Sequence, residues 1–135
     1  MNSDVAAQKA LDRLAKDGFE KLTDTEKALA SIWTFEAEVS NRGFVRYFSS
    51  SAGDMAFFVP TALNAVGATS TARIAASANE VFGAGGPPKD RKERRLLVRS
   101  FGEETKRTLT ALESRLYDSQ EDVDQFLELF LDRKQ

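Results

Sequence analysis

Residues 38–53 read EVSNRGFVRYFSSSAG, and the fold turns on how this stretch is placed. Upstream of it, Leu29, Ile32, Trp33, Glu36 and Val39 recur at helical spacing and form one stripe. Thr23 with Glu26 makes a Thr-x-x-Glu capping box, so a helix is predicted over about 24–41. Asn41 tolerates the left-handed conformation that ends helices. Gly43 takes backbone angles closed to Arg42 or Phe44, so the chain is predicted to reverse there. A short helix over about 44–49 then puts Phe44, Tyr47 and Phe48 on one side, where they fill the corner below the turn. Ser49, Ser50, Ser51 and Gly53 read as loop.

The same period extends outward in both directions. Ala7, Leu11 and Leu14 mark a thin leading helix over about 3–16, stopped by Gly18. Asp54 reads as the N-cap of a helix reaching Val66, with Pro60 kinking or restarting it. Thr69 or Ser70 is expected to cap a helix that ends near Phe82 and points Ile74, Ala78, Val81 and Phe82 inward. GAGGPP at 83–88 is the clearest break, and it lacks the Gly-Lys-Ser/Thr ending and preceding strand of a phosphate loop. Asp90 with Glu93 caps a helix over about 91–101 that buries Leu97, Val98 and Phe101. Leu109, Leu112 and Leu116 define a helix over 103–117, and Val123, Phe126, Leu127 and Phe130 one over about 119–132. No stretch alternates like a strand. The expected fold is all-α: one compact multi-helix domain of about seven helices, including the short one after Gly43. Within it, residues 1–19 form an N-terminal helix packed on the core and residues 20–135 the main helical domain.

The 135 residues include no cysteine and no histidine. That removes thiol nucleophiles, Ser-His-Asp chemistry, disulfides and imidazole or thiolate metal sites. No metal and no cofactor are expected, and the chain is read as a non-enzyme. The leading MNSDVAAQKA is polar, and no apolar run approaches membrane-spanning length, so a cytoplasmic location away from membranes is expected. The net charge of −2 does not favour direct nucleic-acid binding. Its distribution is uneven. Residues 89–99 hold six cations and two acids, while residues 118–132 hold six acids and no cation.

Each charged feature has a plain reading beside a functional one. Glu36 sits on an apolar stripe, and Arg94 falls between Phe101 and Val98 on its own wheel. A structural ion pair between them is the expectation. Glu36 and Glu38 point about 200° apart and do not form one acid/base site. Arg91, Lys92, Arg95 and Arg99 are read as a solvated face, with a polyanion or acidic-protein site as the alternative. In the last helix Glu121, Glu128 and Asp132 line one face, flanked by Asp118 and Asp122. First-turn acids are explained by the helix dipole. Glu128 and Asp132 oppose that dipole, and Leu129 projects among the carboxylates. Such a row is read as a candidate contact face for a basic partner.

The run Glu38-Val39-Ser40-Asn41-Arg42-Gly43-Phe44-Val45-Arg46-Tyr47-Phe48 resembles the hallmark of a bacterial family of small helical proteins named after a DNA-mimic protein. The shared core is Asn-x-Gly-Phe-x-x-Tyr-Phe at 41–48, followed by a short polar loop and a glycine. Ala62-Leu63, Val66-Gly67-Ala68, the segments 78–82 and 87–94, and Leu112 with Leu116-Tyr117 resemble later family features in order. Arg42 stands where the family has a second glycine, and Arg46 where glutamine is usual. The resemblance spans residues 20–132. It implies an all-helical, non-catalytic protein whose carboxylates imitate DNA phosphates and occupy a DNA-binding protein. The expected function is therefore a protein-binding module that meets a basic partner, with a possible homodimer through its basic and acidic helices. The alternatives are a small-ligand protein or enzyme with a pocket at Glu38, Asn41, Arg46 and Tyr47, or an antitoxin or immunity partner.

Overall fold

The helix that carries the motif, α2 (Asp24–Ser49), is the element on which the others assemble. The computed structural model describes residues 2–134. Seven α-helices are present among them: α1 (Ser3–Asp17), α2, α3 (Val59–Val66), α4 (Thr69–Asn79), α5 (Arg91–Arg99), α6 (Glu103–Asp118) and α7 (Val123–Lys134). Short 3-10 turns at Phe19–Lys21, Ser51–Met55 and Glu80–Phe82 complete the described secondary structure. Helices α1, α3, α5 and α6 pack on α2; α4 lies against α3 and α6; α7 contacts α1 and α3.

The capping box forms as expected. The Glu26 amide donates to Thr23 Oγ1 (3.1 Å), and the Thr23 amide donates to Glu26 Oε1 (2.8 Å). Gly43 has φ 85° and ψ 172°, and in place of the expected chain reversal it makes a kink that divides α2 into two segments. Asn41 is not left-handed, because no non-glycine residue described has positive φ. Its Nδ2 instead donates to the Ala37 carbonyl (2.7 Å), and Gly43 carries the conformational demand of the bend. Beyond it Phe44, Tyr47 and Phe48 are buried, with Phe44 stacked on Phe48 (5.9 Å) and Phe48 edge-on to Phe82 (4.8 Å). Phe35 joins this cluster through Tyr47 (5.6 Å), although the expected stripe ran through Trp33. Trp33 follows Ile32 and is rotated about 100° from it, which leaves it 38% exposed.

Arg94 is fully buried, and all five of its N–H groups are used. Nε donates to Phe48 O (2.6 Å), Nη2 to Ser50 O (2.7 Å) and Asp54 Oδ1 (2.7 Å), and Nη1 to Pro88 O (3.0 Å) and Lys89 O (3.2 Å). The expected Glu36–Arg94 pair is therefore not formed. Burial of Arg94 was legible on the wheel, but α5 meets the C-terminal end of α2. Glu36 lies about three helical turns upstream of Phe48. Asp54 is likewise not the N-cap of a long helix. It sits in the 3-10 turn and takes Arg91 as well as Arg94 (2.8 Å and 2.7 Å), which holds its carboxyl below the usual range despite partial burial. A Cβ at Gly53 would meet the Tyr47 carbonyl and Arg94 Nε (2.6 and 3.0 Å), so the loop needs glycine for the guanidinium to reach its carbonyls. Helix α3 starts only at Val59, with Pro60 in its first turn where a missing N–H costs nothing. In α5, Val98 is buried but Leu97 is exposed, contrary to expectation.

Candidate functional site

Helix α7 starts at Val123, four residues later than its periodicity predicts. Asp118 therefore ends α6, Glu121 and Asp122 lie in the connection, and the acidic residues do not form one helix face. Several of them have structural work. Glu121 Oε1 accepts from the Thr71 amide (2.7 Å) and Thr71 Oγ1 (2.6 Å), and Oε2 accepts from the Ser70 amide (3.2 Å). The N-cap position of α4 is Ala68 and not the expected Thr69 or Ser70; alanine has no side-chain acceptor, so Glu121 caps that helix from 50 residues away. Burial pulls the Glu121 carboxyl up, but these hydrogen bonds and Arg73 outweigh it and hold it below the ordinary range. Asp122 Oδ1 accepts from the Gln125 amide (3.1 Å) in the first turn of α7. Glu128 Oε1 accepts from the Ser3 amide (2.9 Å) at the start of α1. Asp118 and Asp132 are exposed, and Leu129 is 50% exposed.

These anchors gather carboxylates from three helices. Glu36 of α2 lies within electrostatic reach of Asp122 and Asp124, and Asp124 within reach of Asp4 of α1, Asp122 and Glu128. None of these five acids has a cation within 4.0 Å among the described residues. Burial, then the charges of Asp124 and Asp122, push Glu36 up to about 7. Burial, then Asp4, Asp122 and Glu128, also raise Asp124. Asp4, Asp124 and Glu36 were missed as a group because they meet only when α1, α2 and α7 pack.

Beside this edge runs a groove of about 680 Å³ between α2 and α6. Phe35, Val39, Leu116 and Tyr117 give it apolar walls, and Glu36 and Glu113 line it. Asn41 and Gly43 stand at the bend. Glu113 Oε1 accepts the Phe44 amide (3.1 Å) and occupies the place where a Cβ on residue 43 would go. Gly43 thus supplies both the bend and the room for Glu113. Tyr117 is 90% exposed. Glu113 and Tyr117 follow Leu109 at four-residue steps, so the α6 period was the signal that could have found them.

The other motif residues are divided between surfaces. Tyr47 is buried, and its hydroxyl has no hydrogen-bond partner. Burial, partly opposed by Arg94, raises its pKa above the ordinary tyrosine range. Glu38 and Arg46 line a smaller concavity of about 390 Å³ with Arg42 and Arg95. Of the α5 cations, Arg91 pairs with Asp54 and Arg95 Nε donates to the Ser49 carbonyl (2.7 Å). Among the described residues no acidic group is arranged to hold a metal ion. No described helix is long and apolar enough to cross a membrane.

Comparison with curated proteins and with solved structures finds no match. The family model described as DMP19-like protein matches residues 20–134, from the entry to α2 through the Arg94 anchor to the end of α7. The chain belongs to the DMP19-like protein family.

Proposed function

We propose that this chain is a non-enzymatic binding module that offers carboxylates to a basic, DNA-binding protein and occupies the surface that protein uses for DNA. Membership of the DMP19-like family supports the class of function. The observation that carries the reading is the cluster of Asp4, Glu36, Asp122, Asp124 and Glu128, held together with no described cation in ion-pair range. Like charges assembled this way raise the energy of the free protein and lower the energy of a complex with a basic one. Duplex DNA presents about one charge per 1.7 Å of axis, and much of its affinity for proteins is electrostatic. Carboxylates spaced along an edge use the same term. The overall charge of −2 is no obstacle, because association responds to the local field.

The test is affinity capture of the tagged chain from its native lysate, nuclease-treated, with bound proteins identified by mass spectrometry. Asp4→Lys with Asp124→Lys reverses two exposed members of the cluster that cap no helix. A basic DNA-binding protein retained by the native chain, released by salt and lost in this variant is the expected result. Retention of a toxin or metabolic enzyme, indifferent to the reversal, would overturn the reading.

A further inference from the structure

We propose that the groove between α2 and α6 is an arginine pocket, in which Glu36 and Glu113 receive one guanidinium group of the basic partner against the walls formed by Leu116 and Tyr117. This rests on the functional reading above and names the anchor by which the partner is held.

Three observations converge on it. The groove is walled by apolar side chains, but the polar groups it offers include two carboxylates with unused acceptors. The Glu36 side chain makes no hydrogen bond or ion pair with any described residue. Glu113 uses Oε1 for the Phe44 amide, and its Oε2 accepts nothing among the described residues. The cation nearest to hand, Arg42 at the rim, is directed to Glu38 (3.7 Å). A half-buried carboxylate without a partner is costly, and a cation entering from outside removes that cost. The groups facing Glu36 from other elements are Asp122 and Asp124 of the α7 entry, both acidic. Both charges that act on Glu36 therefore favour a cation, and Arg42, the one cation among the described residues lining the groove, is drawn toward Glu38. The volume of about 680 Å³ lies within the ~300–1,000 Å³ of pockets that enclose a ligand, which leaves room for a side chain with its flanking backbone.

Arginine fits this chemistry better than lysine. Its planar group donates in several directions at once, so two carboxylates can share it. It also stacks on an aromatic face, and Tyr117 stands free at the rim for that contact. Continuity matters too. Glu36 belongs both to the groove and to the acidic edge, so a basic segment crossing the edge passes the mouth of the pocket.

The test is an amide-resolved NMR titration of the full chain with Nα-acetyl-arginine-N-methylamide, beside the lysine and norleucine analogues. Saturable shifts centred on Gly43, Phe44 and Tyr117, stronger for arginine than lysine and absent for norleucine, are expected. Glu36→Gln should weaken the arginine probe about tenfold or more. Ser114→Trp, which fills the groove from an exposed position without changing charge, should abolish the shifts while leaving the melting temperature within a few degrees. Shifts spread over all acidic residues, equal for lysine and untouched by Ser114→Trp, would overturn the pocket. A chain that still retains a basic protein under those conditions would keep the acidic-edge reading and lose only the pocket. A groove that takes arginine in a chain that retains no basic protein would keep the guanidinium site and overturn the functional reading.

Discussion

Glu36→Gln should make the protein more stable at pH 8 and leave it unchanged at pH 4. The native carboxyl, pressed by burial and by Asp124 and Asp122, keeps its proton to about pH 7, whereas an ordinary glutamate releases it near 4.5. Between those values the folded state binds one proton more than the unfolded state, so stability falls as pH rises through the window. Each pH unit is worth about 1.4 kcal/mol, which bounds the full loss at about 3 kcal/mol. The open groove keeps the side chain partly in water, and about 2 kcal/mol is the expected size. Glutamine has no proton to lose and removes this penalty. Urea unfolding followed by Trp33 fluorescence at pH 4, 6 and 8 gives the comparison directly. The two proteins should coincide at pH 4 and separate progressively, the variant being more stable. A constant difference across that range, or a destabilised variant at pH 8, would refute the reasoning. The cost is carried by the group proposed to meet the partner, as expected where stability is traded for binding.

Three further outcomes follow from the geometry. Gly43→Ala should destabilise by about 2 kcal/mol or more, because alanine is strained at this φ and its Cβ displaces Glu113. The same change in a Glu113→Ala background should cost less, and equal costs in both backgrounds in urea titrations would argue against that contact. Arg94→Met should cost about 3–5 kcal/mol, since it strands four carbonyls in and around the buried corner and leaves Asp54 with Arg91 alone. Arg94→Lys should not restore it, as an ammonium cannot reach all five acceptors, and full rescue by lysine would contradict the account of the loop. Tyr47→Phe should be neutral or stabilising by up to about 1 kcal/mol, because the buried hydroxyl has no partner to lose. A loss above ~1 kcal/mol by thermal melting would mean that the hydroxyl is satisfied by an internal water.

What could be read in the sequence was local. The capping box at Thr23, the Asp90 cap, the helix break at Gly43 (though not its form, a kink where a reversal was expected) and the burial of Phe44, Tyr47 and Phe48 all depend on residues within a turn or two of each other. The fold class followed from the helical period. Long-range pairing was not legible. Nothing in the chain around Arg94 says that its carboxylate is Asp54, 40 residues earlier, instead of Glu36. The acids near the C-terminus looked like one stripe because the period runs on through 119–122, where the backbone leaves the helix. Glu121 and Glu128 were conspicuous for their charge, yet their hydrogen bonds go to the starts of α4 and α1. The groove is a property of two helices far apart in sequence: Asn41 and Gly43 line it from the motif, and Glu113 reaches the Phe44 amide from 69 residues away.

Recognition through a DNA-like edge is tested most directly by competition. The captured basic protein is bound to a fluorescently labelled duplex, and the chain is titrated in while anisotropy is followed. Stoichiometric displacement of the DNA, weakened by salt and lost with Asp4→Lys and Asp124→Lys, is the predicted result. A stable complex holding DNA and both proteins, or displacement unaffected by the charge reversal, would contradict it.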